Sequence, residues 1–154
     1  MPKESAGLLV FRRTSGGLEV LLAHPGGPFW AKKDEGAWSI PKGELAAEED
    51  PLAAALREFE EETGVIIAGT PLALQPVRQP SGKIIRAWAL EGDLDPATVK
   101  SNTFSLEWPP RSGRQQEFPE IDRVAWLPVE EARRKIVPGQ VPLLEQLALQ
   151  LGGS

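Results

Sequence analysis

The sequence predicts an α/β fold in which strands lie before, between and after a few helices. Three observations predict it. Apolar runs rich in β-formers, each bounded by Gly, Pro or Ser, occur near the N-terminus, in the middle and towards the C-terminus. A helix with its own start and stop signals interrupts them, and two more close the chain. Internal repeats and low-complexity tracts are absent, so the 154 residues read as one domain over 1–154, long enough to bury a core.

In chain order, Ser5 to Arg13 (SAGLLVFRR) reads as a strand and Leu18 to His24 (LEVLLAH) as its hairpin partner, joined by Thr14-Ser15-Gly16-Gly17. Pro25-Gly26-Gly27-Pro28 is a loop by composition, continued by Phe29 to Gly36. Ala37 to Ile40 is expected as a short strand feeding a turn at Pro41-Lys42-Gly43. Val65 to Ala68, Pro71 to Gln79 and Lys83 to Glu91 read as strands, the last two joined at Pro80-Ser81-Gly82. Pro96 to Lys100 is a turn or short helix, Asn102 to Trp108 a strand, 109–116 a polar loop and Arg123 to Leu127 a strand. Pro128 opens a helix to about Ile136, Pro138-Gly139 ends it, and Pro142 opens a last amphipathic helix to about Leu151.

The stretch Gly43 to Val65 (GELAAEEDPLAAALREFEEETGV) carries the chemistry. Asp50 suits an N-cap, Pro51 the first helical position and Gly64 the C-terminal stop, which brackets a helix over 51–63. Leu52, Ala55, Leu56, Phe59 and Thr63 fall on one stripe facing a core. Four glutamates, Glu58, Glu60, Glu61 and Glu62, crowd five positions. Like charges at helical spacing repel by a few tenths of a kcal/mol per pair, so the cluster makes sense as the seat of a divalent cation. At about 100° per residue, Glu58 and Glu62 lie about 40° apart, with Glu61 about 60° to the other side of Glu58. These three share a face expected to meet solvent, and Glu60 points away. Mg²⁺ and other hard cations take such oxygen ligands.

Composition excludes several classes. No apolar run is long enough to span a membrane. The N-terminus MPKESAGLLVF lacks the long apolar region and cleavage site of a signal peptide. Cysteine is absent, which removes disulfides, thiolate metal sites and a cysteine nucleophile, and a cytoplasmic protein is expected. A net charge of −5 argues against binding long nucleic acid. A small nucleotide held through a cation remains open.

Gly43, five residues, Glu49, seven residues, Arg57-Glu58-Phe59, one residue, Glu61-Glu62, one residue, Gly64-Val65: this spacing resembles the Nudix box at every defined position. Seven fixed positions at roughly one in fifteen background frequency put a chance match on the order of 10⁻⁸ per start site. The flanks, Trp38-Ser39-Ile40-Pro41-Lys42 before the box and the Trp-Leu-Pro strand end near 126–128, are similar to the family too.

The resemblance implies a Nudix fold, a curved mixed β-sheet sandwiched between α-helices. It implies hydrolysis of a nucleoside diphosphate linked to another moiety, with Mg²⁺ or Mn²⁺. Glu58, Glu61 and Glu62 are then metal ligands, with the Gly43 carbonyl as a further one, and Glu58 is also a candidate base. Arg57 joins the catalytic set by orienting carboxylates and pairs with Glu49. Lys42 is the expected phosphate contact. A further carboxylate is expected outside the box, Glu117 by first choice and Glu120 as its rival. Trp30 or Trp38 is expected to stack on a nucleobase; Trp88, Trp108 and Trp126 read as core. The lone His24 reads as structural. The opening strands, the Trp30 loop and the Glu117 region resemble the dinucleoside polyphosphate (Ap4A-type) hydrolases most, although Glu44 stands where many of those carry histidine. Nucleoside triphosphates, nucleotide sugars and RNA ends stay open as substrates. The alternative is a Nudix-fold module that binds nucleotide without catalysis.

Overall fold

The centre of the fold is a place where two neighbouring strands part. In the computed structural model, which describes residues 3–151, β1 (Glu4–Thr14) and β2 (Gly17–Pro25) pair antiparallel from Phe11↔Val20 to the turn. Beyond that they diverge, and residues 39–44 fill the gap. Ser39 exchanges two backbone hydrogen bonds with Ala23 of β2, at 2.8 and 3.0 Å. The Leu8 N–H donates to the Pro41 carbonyl at 3.2 Å. β3 (Lys42–Glu44) then pairs antiparallel with Gly7, Ala6 and Ser5. Gly7 permits the approach: a Cβ there would lie 2.6 Å from the Pro41 carbonyl oxygen.

On its other edge β1 pairs in parallel with β6 (Ile84–Glu91), which also carries the short β4 (Leu72–Ala73) and β5 (Val77–Arg78). β9 (Ile121–Pro128) closes the sheet antiparallel to β2. β1 is buried over seven consecutive residues, the mark of a strand covered on both faces. One face packs Ala6, Leu8 and Val10 against α1 (Pro51–Thr63). The other packs Leu9, Phe11 and Leu22 against α2 (Val129–Lys135), Ile136 and α3 (Val141–Gln150). The mixed sheet between helices is the architecture expected from the sequence. β7 (Thr103–Glu107) and β8 (Gln115–Pro119) form a separate two-stranded hairpin. Among the described residues no helix is long and apolar enough to cross a membrane.

Several local expectations are corrected. Between Ala37 and Ile40 there are only isolated bridges, and the strand falls at Lys42–Glu44, where a turn was expected. Val65 to Ala68 forms no strand, and Pro71 to Gln79 splits into β4 and β5 around Pro76, which has no N–H to give a ladder. Gln115 and Gln116 belong to β8, not to a loop. The inner face of α1 is also rotated. Ala54, Ala55, Phe59 and Thr63 are buried, while Leu56 is 38% exposed. At about 100° per residue the middle of that buried arc falls on Glu62.

Candidate active site

The local chain builds the site from two pieces, β3 and α1. Asp50 caps α1, its carboxylate accepting the Ala53 N–H at 2.9 Å, and Pro51 follows at the first turn. Gly64 ends it with φ +74°, its N–H donating to the Glu60 carbonyl at 2.7 Å. The helix lies so close to β3 that a Cβ on Gly43 would sit 2.0 Å from the Glu58 carboxyl carbon. Gly43 is therefore the residue that lets the Glu58 carboxylate lie against the β3 backbone.

Arg57 ties the acidic groups together. Its guanidinium donates to Glu49 (Nε, 3.0 Å), Glu58 (3.1 Å) and Glu61 (2.9 and 3.2 Å). The hydrogen bond to Glu49, ahead of the charges of Glu58, Glu49 and Glu61, raises the already basic guanidinium further. Glu49 in turn accepts the Ala46 N–H at 3.1 Å, and that bond and Arg57 hold its carboxyl below the usual range. Arg57 thus fixes where Glu58 and Glu61 sit.

Glu62 is the unusual member. Burial, and then the charge of Glu58, push its carboxyl up to about 8, against a hydrogen bond from the Lys42 backbone that lowers it; Glu120 adds repulsion. Its Oε2 is buried with no hydrogen-bond partner among the described residues. The expectation that all three carboxylates face solvent therefore fails at Glu62, because α1 is rotated inwards. Glu58 is raised too, by burial first, with Arg57 opposing and Glu61 and Glu120 adding repulsion. Lys42 lines a small recess of about 120 Å³ with Glu62, Glu120, Pro25 and Ile121. Burial, then repulsion from Lys83, hold its ammonium below the usual lysine range, while Glu62, Glu44 and Glu58 favour the charged form.

The other sequence candidates divide. Glu120, not Glu117, is the outside carboxylate that the fold brings to Glu58 and Glu62. Glu117 stands exposed on β8 opposite Ser105, its Oε1 accepting from Thr103 at 3.4 Å. Glu60 is exposed, as its phase requires. Trp30 is 39% exposed in its loop, with Lys33 over the ring at 5.6 Å. Trp38 is buried and donates to Asp34 at 2.8 Å, so it has no face for a base. Trp108 belongs to neither core cluster and packs on Phe29 instead. His24 is fully buried between the Asp122 carboxylate (2.9 Å) and the Lys33 carbonyl (2.6 Å), a structural role. Two larger grooves, about 660 and 710 Å³, include none of Glu58, Glu61 and Glu62. What sequence reading missed was the Gly7 contact that seats β3. A glycine inside a strand pattern was its available signal.

The acidic set fits a hard divalent cation in chemistry. All its donors are oxygens, and Glu62 carries a buried carboxylate oxygen lacking a partner, a costly state that a cation relieves. Among the described residues no three acidic, histidine or cysteine side chains are already gathered as a metal would hold them, and Arg57 supplies the positive charge between Glu58 and Glu61.

The NUDIX domain family model matches residues 1–147. The chain belongs to the Nudix family. It is 29% identical over 126 residues to an RNA pyrophosphohydrolase of Rhodospirillum rubrum, covering 76% of this chain and 72% of that protein. A C. elegans Ap4A hydrolase binary complex superposes with a TM-score of 0.67 at 23% identity, covering 97% of this chain and 99% of that one. The NUDIX domain of Shewanella oneidensis NrtR, complexed with ADP ribose, gives 0.68 at 17% identity, covering 98% and 89%. At these identities the two structures establish the fold. Nudix family members are pyrophosphohydrolases, the RNA pyrophosphohydrolase and the Ap4A hydrolase among them, and the chain is placed with that class of enzyme. Enzymes of the family generally use divalent metals such as Mg²⁺.

Proposed function

We propose that this Nudix protein hydrolyses a pyrophosphate linkage in a small nucleotide, a dinucleoside polyphosphate or a nucleoside triphosphate, by water attack at phosphorus. The observation that carries this reading is the Glu62 carboxylate, buried without a partner for Oε2 beside Glu58, Glu120 and the half-buried Lys42.

Glu58, Glu61 and Glu62, with the Gly43 carbonyl, would hold Mg²⁺ or Mn²⁺. When bound, the cation supplies neutralising charge to the diphosphate oxygens. Lys42 contacts phosphate; its partial burial strengthens that attraction, since charges interact more strongly out of water. Glu58, whose raised proton affinity suits a base, accepts the proton of the attacking water, and the bridging oxygen leaves with its electron pair. Glu120 is the neighbouring carboxylate available for the same proton. Arg57 is a positioning residue, and Trp30, exposed in the loop that follows β2, offers the ring face that Lys33 does not cover. The net charge of −5 favours small nucleotides over long nucleic acid.

The test is a panel of diadenosine tetraphosphate, ATP, 8-oxo-dGTP, ADP-ribose, a nucleotide sugar and a triphosphorylated RNA, with Mg²⁺ and then Mn²⁺. Products are separated by chromatography. Cleavage of the dinucleotide to ATP and AMP is the expected result. Tight binding with no turnover on any member would replace the reading with a binding module.

A further inference from the structure

The Pro25-Gly26-Gly27-Pro28 loop and the β7–β8 hairpin form one wall, and that wall begins at the acidic site. The Asn102 N–H donates to the Glu61 carbonyl at 3.2 Å, and the Glu120 N–H to the Asn102 carbonyl at 2.8 Å. Gly26 N–H then donates to the Glu120 carbonyl at 3.0 Å. From there the loop runs along the hairpin. A Cβ on Gly26 would lie 2.0 Å from the Pro119 carbonyl oxygen, and one on Gly27, at φ +95°, 2.9 Å from Phe104. These glycines let the two segments lie flush. At the outer end Phe29 meets Trp108 edge to face, ring centroids 5.5 Å apart at 82°. Four residue steps separate Thr103↔Pro119 from Glu107↔Gln115, so the ladder is about 13 Å long at ~3.3 Å per residue, and Trp108 follows its outer end. Phe29 is 62% exposed, a large apolar surface whose one aromatic partner among the described residues is Trp108. The adjoining turn carries Arg111 and Arg114, which form no ion pair among the described residues.

We propose that Phe29, braced by Trp108, is the platform that takes a nucleobase of the substrate, and that the wall holds it one polyphosphate length from the acidic site. The proposal rests on the nucleotide reading of that site. Continuity favours this occupant: the wall's base is Glu120 and the Glu61 backbone, so a ligand reaching from one to the other has an anionic end and a planar end. Trp30, the aromatic favoured from the sequence, already has Lys33 over its ring.

Calorimetry tests it without turnover, using α,β-methylene-ATP and inorganic tripolyphosphate with Mg²⁺. Phe29→Ala should weaken the nucleotide on the order of tenfold, the loss of one base stack, and leave tripolyphosphate within twofold. Phe29→Tyr should bind as wild type, and Trp30→Ala should lose less than Phe29→Ala. Equal weakening of both ligands would overturn the platform in favour of a merely structural ring, as would unchanged nucleotide binding in Phe29→Ala or a wild type that prefers tripolyphosphate. Because Phe29 is exposed, the melting temperature of the variant should not move. Base-dependent binding without hydrolysis of any substrate would refute the hydrolase reading and keep the platform. Hydrolysis with an unchanged KM in Phe29→Ala would do the reverse.

Discussion

Gly43→Ala puts one methyl group where the structure has the Glu58 carboxylate. The added Cβ would lie 2.0 Å from the carboxyl carbon and 2.2 and 2.4 Å from its oxygens. Ordinary contact begins at 3.4 Å, so the carboxylate must retreat by about 1.4 Å. Gly43 does not have a positive φ, so alanine suits its backbone and the effect is confined to the Glu58 side chain. Glu58 also holds its place through Arg57, so the displacement strains that contact as well. A shift of about 1 Å in a positioned group costs on the order of 10²-fold in rate. The expected result is a kcat lower by about that factor on the best substrate of the panel, with circular dichroism and melting close to wild type. Gly16→Ala is the control, since its nearest neighbour would be 3.8 Å away. A Gly43→Ala enzyme of normal kcat would refute the placement of Glu58 against β3 as a requirement of catalysis.

Other predictions concern the glutamates. Glu62 has its folded pKa raised to about 8, above an unfolded value near 4.5, so the fold prefers the neutral form. Its contribution is fully present below about pH 4.5 and is lost at about 1.4 kcal/mol per pH unit up to about pH 8, roughly 4–5 kcal/mol in all. Metal-free Glu62→Gln should therefore lose less stability than wild type between pH 5 and 8.5 in urea melts; parallel pH profiles would remove the buried-carboxylate account. Glu120→Gln should lower kcat more than Glu117→Gln, and the opposite order would restore Glu117. Glu60→Gln should stay within twofold of wild type, and a severe loss would mean that the helical phase is wrong.

The α1 helix is legible because its signals are local: Asp50, Pro51 and Gly64 act within one turn of its ends. The box spacing is legible for the same reason, and it names the family before any coordinate. The rotation of the helix is not legible. Leu52 and Leu56 mark the apolar stripe, but Ala54 and Ala55, being small, let the helix pack closely on that side and carry Glu62 inwards. β3 has three residues and no pattern; it exists because β1 and β2 part and Gly7 leaves room. The choice between Glu117 and Glu120 depends on hairpin register, a non-local pairing with β7. Trp108 reads as core because it ends an alternating strand, yet the hairpin leaves the main sheet and takes it along.

The most direct test of the central claim is metal dependence at the box carboxylates. Diadenosine tetraphosphate turnover would be followed by chromatography after chelation with EDTA and again after adding Mg²⁺, in wild type and in Glu61→Gln. Glu61 is half-exposed and, among the described residues, its side chain is held only by Arg57, so its replacement leaves the fold intact. The account predicts no cleavage in EDTA, recovery with Mg²⁺ in wild type, and a rate lower by at least tenfold in Glu61→Gln at every Mg²⁺ concentration, the scale of losing one ligand of a cation that neutralises the diphosphate. Full cleavage in EDTA, or an undiminished rate in Glu61→Gln, would contradict it.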